Sequence, residues 1–340
     1  MAPGSRFTQG RDSQPGIHNK DSQQGFTTRI HNKGARLSAL RLKKVIRETA
    51  ADPSVAVAND RAVAIGPIRV TTLSGRELVD QLIRHVFEGT KTMHVVTANA
   101  QFYVLAQRDA RFRECLTEAD YVCADGLPIV RMCNWMGAID AERITGVDLI
   151  PLLCEPAAEF DLPVYFLGGY PGSAAASASL LMDRFPKLRV CGVGCPPKGF
   201  EESPEVLTQV LRSIAQAEPS IIFIAFGAPK QEYFIQQHIR ALGIPVAIGV
   251  GGSFELLAGV RKRAPQWAQA AGMEWAFRLA QEPRRLAKRY LLGNTVFSYY
   301  ALRYLLSQGA LEARDAYHAT LDETEIEKME QPAGRKREVG

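Results

Sequence analysis

The sequence predicts an α/β fold, with a mostly parallel Rossmann-like sheet, flanking helices and a C-terminal helical appendage. Short runs rich in Val and Ile alternate with helical patterns between residues 63 and 250, and this alternation is typical of a parallel sheet. Several runs are nearly unbroken, as strands covered on both faces should be. Polar or glycine-rich segments follow five of the runs. Because ligands bind beyond the carboxyl ends of parallel strands, these five segments are predicted to converge on one crevice.

The first two apolar runs flank Gly66-Pro67 and predict a hairpin. In chain order, strands are expected at residues 63–65, 68–71, 93–97, 121–124, 164–167, 189–193, 221–226 and 246–250. Helical patterns intervene at about 75–87, 101–108, 127–136, 146–159, 172–184, 204–217 and 229–241.

Four segments are predicted along the 340-residue chain. Residues 1–48 are rich in Gly, Ser, Gln, Asn and Arg without apolar periodicity, which predicts a disordered basic extension. Residues 49–260 are expected to form the α/β core. Residues 261–310 are predicted to form a basic and aromatic helical appendage, followed by a flexible charged tail at 311–340.

The formal net charge is +5, and basic residues gather near the N-terminus and between residues 261 and 303. A nucleic acid, an anionic membrane surface or a phosphate-bearing substrate would each explain this distribution, and charge does not choose among them. The sequence has neither an uncharged apolar run of about twenty residues nor the core of a signal peptide. We therefore expect a cytoplasmic protein without a transmembrane helix.

The six cysteines suit a reducing compartment. Cys191 and Cys195 are separated by three residues, a spacing that zinc sites permit. No second close pair or nearby histidine completes such a site. We therefore expect buried apolar cysteines and no metal.

Asp125 is the carboxylate that the pattern singles out, because it follows a predicted strand and precedes Gly126. It fits a general base that takes the proton of an attacking sugar hydroxyl. It fits equally well the N-cap of the helix predicted at 127–136. At the end of an earlier strand, Thr97 and Asn99 are candidates to hydrogen-bond a sugar or a phosphate. Capping of the next helix is the more common role for an asparagine such as Asn99.

The segment 227–232 predicts a strand-to-helix turn with Pro229 at the first helical position. The N–H groups at the start of such a helix favour a bound phosphate. Lys230 would add a cation and Gln231 a bidentate amide. A functional role is therefore favoured over a purely structural turn.

The glycine-rich segment 249–259 follows the last predicted strand. Gly251 and Gly252 would let the backbone approach a ligand closely. Glu255 would then accept hydrogen bonds from a uracil or a ribose. The alternative is a tight turn with a solvated glutamate.

Gly168 and Gly169 open a loop similar to a dinucleotide-binding turn. The loop does not match the G-x-G-x-x-G spacing, Pro171 disrupts the usual geometry, and no acidic residue stands about twenty residues further on. A nicotinamide cofactor is therefore not expected, and no other cofactor is predicted. The basic appendage either lies on an anionic membrane surface or packs on the core with its arginines in solvent.

Together these motifs resemble the WecG/TagA/CpsF family of bacterial glycosyltransferases, over about residues 60–305. The motifs that carry the resemblance follow in order: Thr97-Ala98-Asn99, Ala124-Asp125-Gly126, Glu142-Arg143 with Thr145-Gly146, Phe166-Leu167-Gly168-Gly169, Gly227-Ala228-Pro229-Lys230-Gln231-Glu232, Gly251-Gly252-Ser253-Phe254, Arg263-Ala264-Pro265, and Glu274-Trp275 with Arg278-Leu279 and Glu282-Pro283.

The resemblance implies an inverting, metal-independent transfer of a sugar from a UDP-sugar donor to a saccharide linked to undecaprenyl diphosphate. Relatives use N-acetylmannosamine, its uronic acid or glucose, and the products serve cell-surface or exopolysaccharide biosynthesis. The chain would act as a peripheral protein at the cytoplasmic face of the inner membrane. Neither nucleic acid nor a cofactor is implied, and assembly into a homo-oligomer stays open. The rival interpretations are a non-enzymatic membrane adaptor and an NAD-dependent sugar-nucleotide enzyme.

The resemblance also implies roles for single residues. Asp125 would be the catalytic base. Arg143 would receive the donor's diphosphate. Thr97, Asn99 and Gln231 would line the donor and acceptor site, together with Lys230, Gly168, Gly169, Gly251, Gly252 and Glu255. The family often carries Asp where Glu255 stands. The appendage would hold the lipid diphosphate through Arg278, Arg285, Lys288 and Arg289.

Overall fold

A computed structural model describes residues 61–270 and 273–319, apart from the side chains at 266, 270, 285–292 and 308. The predicted N-terminal extension at 1–48 and residues 320–340 of the predicted tail lie outside the described residues. The described part contains no helix that is long and apolar enough to cross a membrane.

The described strands confirm all eight predicted segments. They are β1 Ala62–Ile65, β2 Ile68–Thr71, β3 Met93–Ala98, β4 Tyr121–Ala124, β5 Val164–Gly168, β6 Val190–Gly194, β7 Ile221–Ala225 and β8 Val246–Gly249. The predicted hairpin is confirmed, because β1 and β2 pair in antiparallel register. The other six strands form one sheet in the order β4-β3-β8-β7-β5-β6, and all of its pairings are parallel.

The helices separate the strands as the periodicity predicts. They are α1 Gly75–Glu88, α2 Ala100–Arg108, α3 Ala110–Thr117, α4 Leu127–Trp135, α5 Gly146–Glu159, α6 Ser173–Arg184, α7 Pro204–Ala217, α8 Lys230–Phe234, α9 Ser253–Leu257, α10 Gln266–Ala270, α11 Glu274–Gln281, α12 Pro283–Leu305 and α13 Gln308–His318. The predicted helix at 229–241 is instead three short turns, because α8 continues as a π-helix, Ile235–Ile239, and a 3-10 turn, Arg240–Leu242.

Both faces of the sheet are covered, as its apolar strands require. Neighbouring side chains along a strand point to opposite faces, so Phe166 joins one core cluster while Leu167 joins another. The first cluster packs α1, α5 and α6 on one face. On the other face, α2, α3 and α4 pack beside β3 and β4, and α7 and α8 pack beside β5 and β7. All five residues of β7 are buried. The central strands are therefore fixed, and their carboxyl ends form a stable rim.

The distal part of the appendage belongs to the second core. Phe297 of α12 and Tyr317 of α13 are buried in the cluster that contains β1 and β2. The Tyr304 hydroxyl donates to the Ala64 carbonyl at 3.0 Å, and the rings of Tyr103 and Phe297 lie 5.4 Å apart in an edge-to-face contact. Residues 311–318, predicted as the start of a flexible tail, instead continue α13 on the hairpin.

Candidate active site

A cavity of about 810 Å³ lies at the carboxyl ends of the parallel strands, where the sheet-edge rule predicts it. Its walls come from the segments that follow β3, β4, β5, β6, β7 and β8, with part of the appendage at one side. Most of the residues predicted from sequence line it: Thr97, Asn99, Asp125, Gly168, Gly169, Lys230, Gln231, Gly251, Gly252, Glu255 and Arg278.

Asp125 directly follows β4 and is half-buried in the cavity wall. Its backbone N–H donates to the Ala98 carbonyl at 2.8 Å, which extends the pairing with β3 by one residue. Asp125 does not cap the helix. The N-cap of α4 is Gly126 at φ 122°, and no side chain makes a cap hydrogen bond there. The capping interpretation is therefore wrong.

The environment of Asp125 changes its acidity. Burial raises the pKa of its carboxyl group to about 6, while the positive charges of Arg278 and Arg143 lower it and the negative charges of Glu274 and Asp148 raise it. Within the described residues, the Asp125 carboxylate makes no hydrogen bond or ion pair. It is therefore mostly ionised at neutral pH, but more basic than an ordinary aspartate.

The two polar residues after β3 hold the local structure. The Thr97 hydroxyl is buried and donates to the Gly249 carbonyl at 2.9 Å, which joins β3 to the end of β8. Asn99 is the N-cap of α2, and its side-chain oxygen accepts from the Gln101 N–H at 3.0 Å. The capping interpretation of Asn99 is therefore confirmed. Sugar or phosphate binding by Thr97 and Asn99 stays a prediction.

Gln231 connects two glycine turns at the rim. Its side-chain oxygen accepts from the Gly227 and Gly251 N–H groups, each at 3.0 Å, and its NH₂ donates to Glu232 at 2.7 Å. Gln231 therefore shapes the cavity from within the protein, while its contact with a substrate stays a prediction. Pro229 occupies the N-cap of α8 after a cis peptide bond, so its predicted place inside the first helical turn is wrong.

The glycines after β5 permit a tight backbone turn. Gly168 and Gly169 have φ values of 98° and 78°, a left-handed region that other residues rarely adopt. A Cβ at Gly168 would lie 2.8 Å from the Phe226 ring. The glycine there is therefore required by conformation and by space.

Glu255 lies beneath this turn. One of its side-chain oxygens accepts from the Tyr170 N–H at 2.9 Å. The other is buried without a partner among the described residues. Only 3% of Glu255 is exposed, so the solvated-glutamate interpretation is wrong. A buried acceptor without a donor is costly unless a ligand or water supplies one.

Basic side chains also line the cavity. Lys230 pairs with Glu201 at 3.1 Å, and Arg261 pairs with Glu282 at 2.8 Å and lies 4.7 Å from the centre of the Tyr170 ring. Lys198 and Lys262 also line the wall. Lys198, Arg261 and Lys262 were not predicted as site residues. Lys198 lies in the segment that follows β6, so the sheet-edge rule applied to every strand would have found it.

At the same strand end, the exposure of Cys195 contradicts the prediction that the cysteines are buried. Cys115, Cys123, Cys133 and Cys154 are buried as expected, but Cys195 is exposed and lines the cavity. The reason is its place after the edge strand β6, where packing against a neighbouring strand is available on one side only.

Arg143 is the one predicted catalytic residue that is not on the cavity wall. Its guanidinium donates to Glu274 at 3.0 Å and to Gln269 at 2.8 Å, and both partners belong to the appendage. Arg278, on α11, does reach the wall and also donates to Glu274, at 2.9 Å. The backbones of Arg285, Lys288 and Arg289 lie on α12, but their side chains are outside the described residues.

Comparison with known proteins adds to this geometry. A family model described as "Glycosyl transferase WecG/TagA/CpsF family" matches residues 63–310. This chain belongs to the WecG/TagA/CpsF family. The family resemblance predicted from the sequence is thereby confirmed.

A curated relative from Bacillus spizizenii is 30% identical over 207 residues, which cover 61% of this chain and 78% of the relative. That relative is named an N-acetylglucosaminyldiphosphoundecaprenol N-acetyl-beta-D-mannosaminyltransferase. As a WecG/TagA/CpsF member, this chain is a glycosyltransferase. Family membership therefore favours the transferase over the membrane-adaptor and NAD-dependent alternatives.

Proposed function

We propose that this chain transfers a sugar from a UDP-sugar to a saccharide linked to undecaprenyl diphosphate, with Asp125 as the general base. The observation that carries the proposal is the Asp125 carboxylate, which lines the cavity without a hydrogen-bond partner among the described residues and has a pKa raised by burial to about 6. A base with a pKa just below the working pH is largely ionised and still accepts a proton efficiently. The name of the Bacillus relative supports the lipid-linked acceptor.

The reaction is a single displacement with inversion. The acceptor hydroxyl oxygen attacks the anomeric carbon of the donor while the bond from that carbon to the diphosphate oxygen breaks. The hydroxyl proton moves to Asp125, and the bonding electron pair leaves with UDP. As negative charge develops on the leaving group, Lys198, Lys230, Arg261 and Lys262 offset it from the cavity wall. Charge compensation by these side chains favours the predicted metal-independent reaction.

In this proposal the donor's nucleoside lies beside Glu255. There the unpartnered oxygen of Glu255 accepts a hydrogen bond from the uracil or the ribose, which would satisfy a buried acceptor. The turns at Gly168, Gly169, Gly251 and Gly252 let backbone groups approach the nucleotide.

In this proposal the acceptor's lipid diphosphate lies against the appendage. Arg278 lies on the wall at that side, and Arg285, Lys288 and Arg289 follow on α12. Guanidinium groups bind phosphate oxygens in a bidentate manner. The same basic segment would hold the protein on the anionic cytoplasmic face of the membrane.

A donor screen tests the proposal. Full-length protein is mixed with a panel of UDP-sugars and a synthetic N-acetylglucosaminyl-diphospho-lipid, and release of UDP is followed with and without EDTA. The name of the relative makes UDP-N-acetylmannosamine the first donor to test, before its uronic acid and UDP-glucose. We expect acceptor-dependent, EDTA-insensitive release with one donor. Folded protein that releases no UDP with any donor would overturn the proposal.

A further inference from the structure

One carboxylate of the appendage is shared by two arginines. Glu274, in the first turn of α11, accepts from Arg143 at 3.0 Å on one oxygen and from Arg278 at 2.9 Å on the other. About four-fifths of the Glu274 side chain is buried, as is that of Arg143. A charge-assisted pair with this burial fixes the Arg143 guanidinium more firmly than a surface pair does, whereas the Arg278 side chain is 43% exposed.

Both arginines lie close enough to act on Asp125. The charged groups that influence the Asp125 carboxylate are Arg278, Glu274, Arg143 and Asp148. Asp125 itself makes no ion pair among the described residues, although two guanidinium groups are near it. Each arginine directs an N–H group to Glu274.

We propose that Glu274 is a positioning residue, which holds Arg143 and Arg278 away from Asp125 and so leaves that carboxylate available to the acceptor hydroxyl. The inference rests on the proposed role of Asp125 as the base. It assigns to the Glu274-Trp275 motif a role in the reaction that is separate from any contact with the membrane.

The appendage has a second attachment that does not depend on Glu274. Arg263 makes a bidentate pair with Asp148, with both distances 2.7 Å, and the Thr145 hydroxyl donates to the same Asp148 at 2.6 Å. Replacement of Glu274 by glutamine should therefore leave the appendage docked and change only the placement and charge around Asp125.

Loss of the Glu274 charge has a defined electrostatic consequence. Glu274 raises the pKa of Asp125, while Arg278 and Arg143 lower it. Without the negative charge, and with either arginine released towards Asp125, the pKa of Asp125 must fall. A base with a lower pKa that is also paired accepts a proton less well. The rate should therefore decrease, and the acid limb of the pH–rate profile should move to lower pH.

The test compares Glu274→Gln with the unmodified full-length protein in the UDP-release assay across pH 4.5 to 8.5. We expect a loss of roughly tenfold or more in kcat at pH 8, the scale at which small misplacements act. We also expect the acid limb to move to lower pH. A lower rate with an unmoved acid limb would indicate a merely structural role and would overturn the inference, as would an unchanged rate.

A matched control removes a carboxylate from another glutamate–arginine pair. Glu118 pairs with Arg240 at 2.9 Å, next to the amino end of β4 and so at the opposite edge of the sheet from Asp125. Glu118→Gln should leave both kcat and the acid limb unchanged. A shift of the acid limb in this control would mean that the profile responds to any lost charge, and the inference would fail.

Glu274→Asp decides the matter if the glutamine variant does not fold. The aspartate keeps the charge on a shorter side chain, so the acid limb should stay in place while kcat falls by less than in Glu274→Gln. An acid limb that moves to lower pH in Glu274→Asp would contradict the charge argument. Asp125→Asn, measured in parallel, separates the two proposals, because activity retained in that variant would refute the proposed base itself.

Discussion

Two carboxylates near the rim of the sheet share a raised pKa but differ in their surroundings. Burial raises the pKa of Asp125 to about 6 and that of Glu232 to about 7. Asp125 lies on the cavity wall, and its carboxylate makes no hydrogen bond among the described residues. Glu232 is fully buried in α8, is not on the wall, and accepts from Gln231 at 2.7 Å.

The comparison shows that acidity alone does not identify a base. Burial raises the pKa of a carboxyl group towards neutrality wherever the cost of desolvating its charge exceeds the stabilisation by nearby hydrogen-bond donors and positive charges. Proton transfer additionally requires that the oxygen be within reach of a substrate. Asp125 lies on the cavity wall, where a substrate could reach it, whereas Glu232 is off the wall and belongs to the hydrogen-bond network that holds the glycine turns.

The largest expected effect concerns the rate of transfer. Asp125→Asn keeps the size of the side chain but removes the proton acceptor, so we expect kcat to fall by about 10³-fold. Binding of UDP, measured by calorimetry, should stay within about threefold of the unmodified protein, because the basic and glycine-rich end of the cavity is unchanged.

Glu232→Gln is the matched control, since it makes the same chemical change at the other carboxylate. Glutamine can still accept from Gln231, and we expect less than about a tenfold change in kcat. Loss of UDP binding in folded Asp125→Asn would contradict the role as a base. A loss of kcat in Glu232→Gln as large as in Asp125→Asn would remove the distinction between the two sites.

Much of the sheet and of the cavity was predictable from the sequence. The buried strands are apolar runs, and the sheet-edge rule then placed Asp125, Lys230 and Glu255 around one crevice. The rule depends only on chain direction, so it holds without knowledge of packing. It failed to single out Lys198 and Arg261 only because the polar segment after β6 and the start of the appendage were not included.

Other features depend on contacts between residues far apart in the chain. Glu274 and Arg143 are separated by 131 positions, and no local pattern indicates that they pair. Helix α3 was missed for a local reason. Half of its eight residues, ARFRECLT, are polar, and the residue before them, Asp109, ends α2 and caps α3 at once. The sequence therefore gives no turn signal between the two helices.

The second expected effect is the pH dependence of the reaction. The base must be deprotonated, so kcat/KM should fall by about tenfold for each pH unit below the Asp125 pKa of about 6 and should level off above it. Glu232→Gln should keep this limb, because Glu232 is not on the cavity wall. The measurement is UDP release at subsaturating donor from pH 4.5 to 8.5. If the acid limb lies near pH 7 and disappears in Glu232→Gln, the titrating group is Glu232 and the prediction for Asp125 is wrong.

The smallest expected effect is on stability, and here Glu232 is the informative residue. Burial raises its pKa from 4.5 to about 7, so the native state keeps a proton that the unfolded chain loses over that range. The stability contributed by this group is complete below about pH 4.5 and is lost as the pH rises through about 7. Above that pH the native state buries a charge that Gln231 satisfies only in part.

Glu232→Gln removes this titration while it keeps an acceptor for Gln231. The free energy of unfolding of the variant, relative to the unmodified protein, should therefore rise between pH 4.5 and pH 8 by on the order of 1–3 kcal/mol. Urea unfolding at the two pH values measures it, and the Asp125 titration cancels because both proteins contain it. If the difference in unfolding free energy between the two proteins is the same at both pH values, Glu232 does not titrate in this range. A group other than Gln231 would then stabilise the buried Glu232 carboxylate.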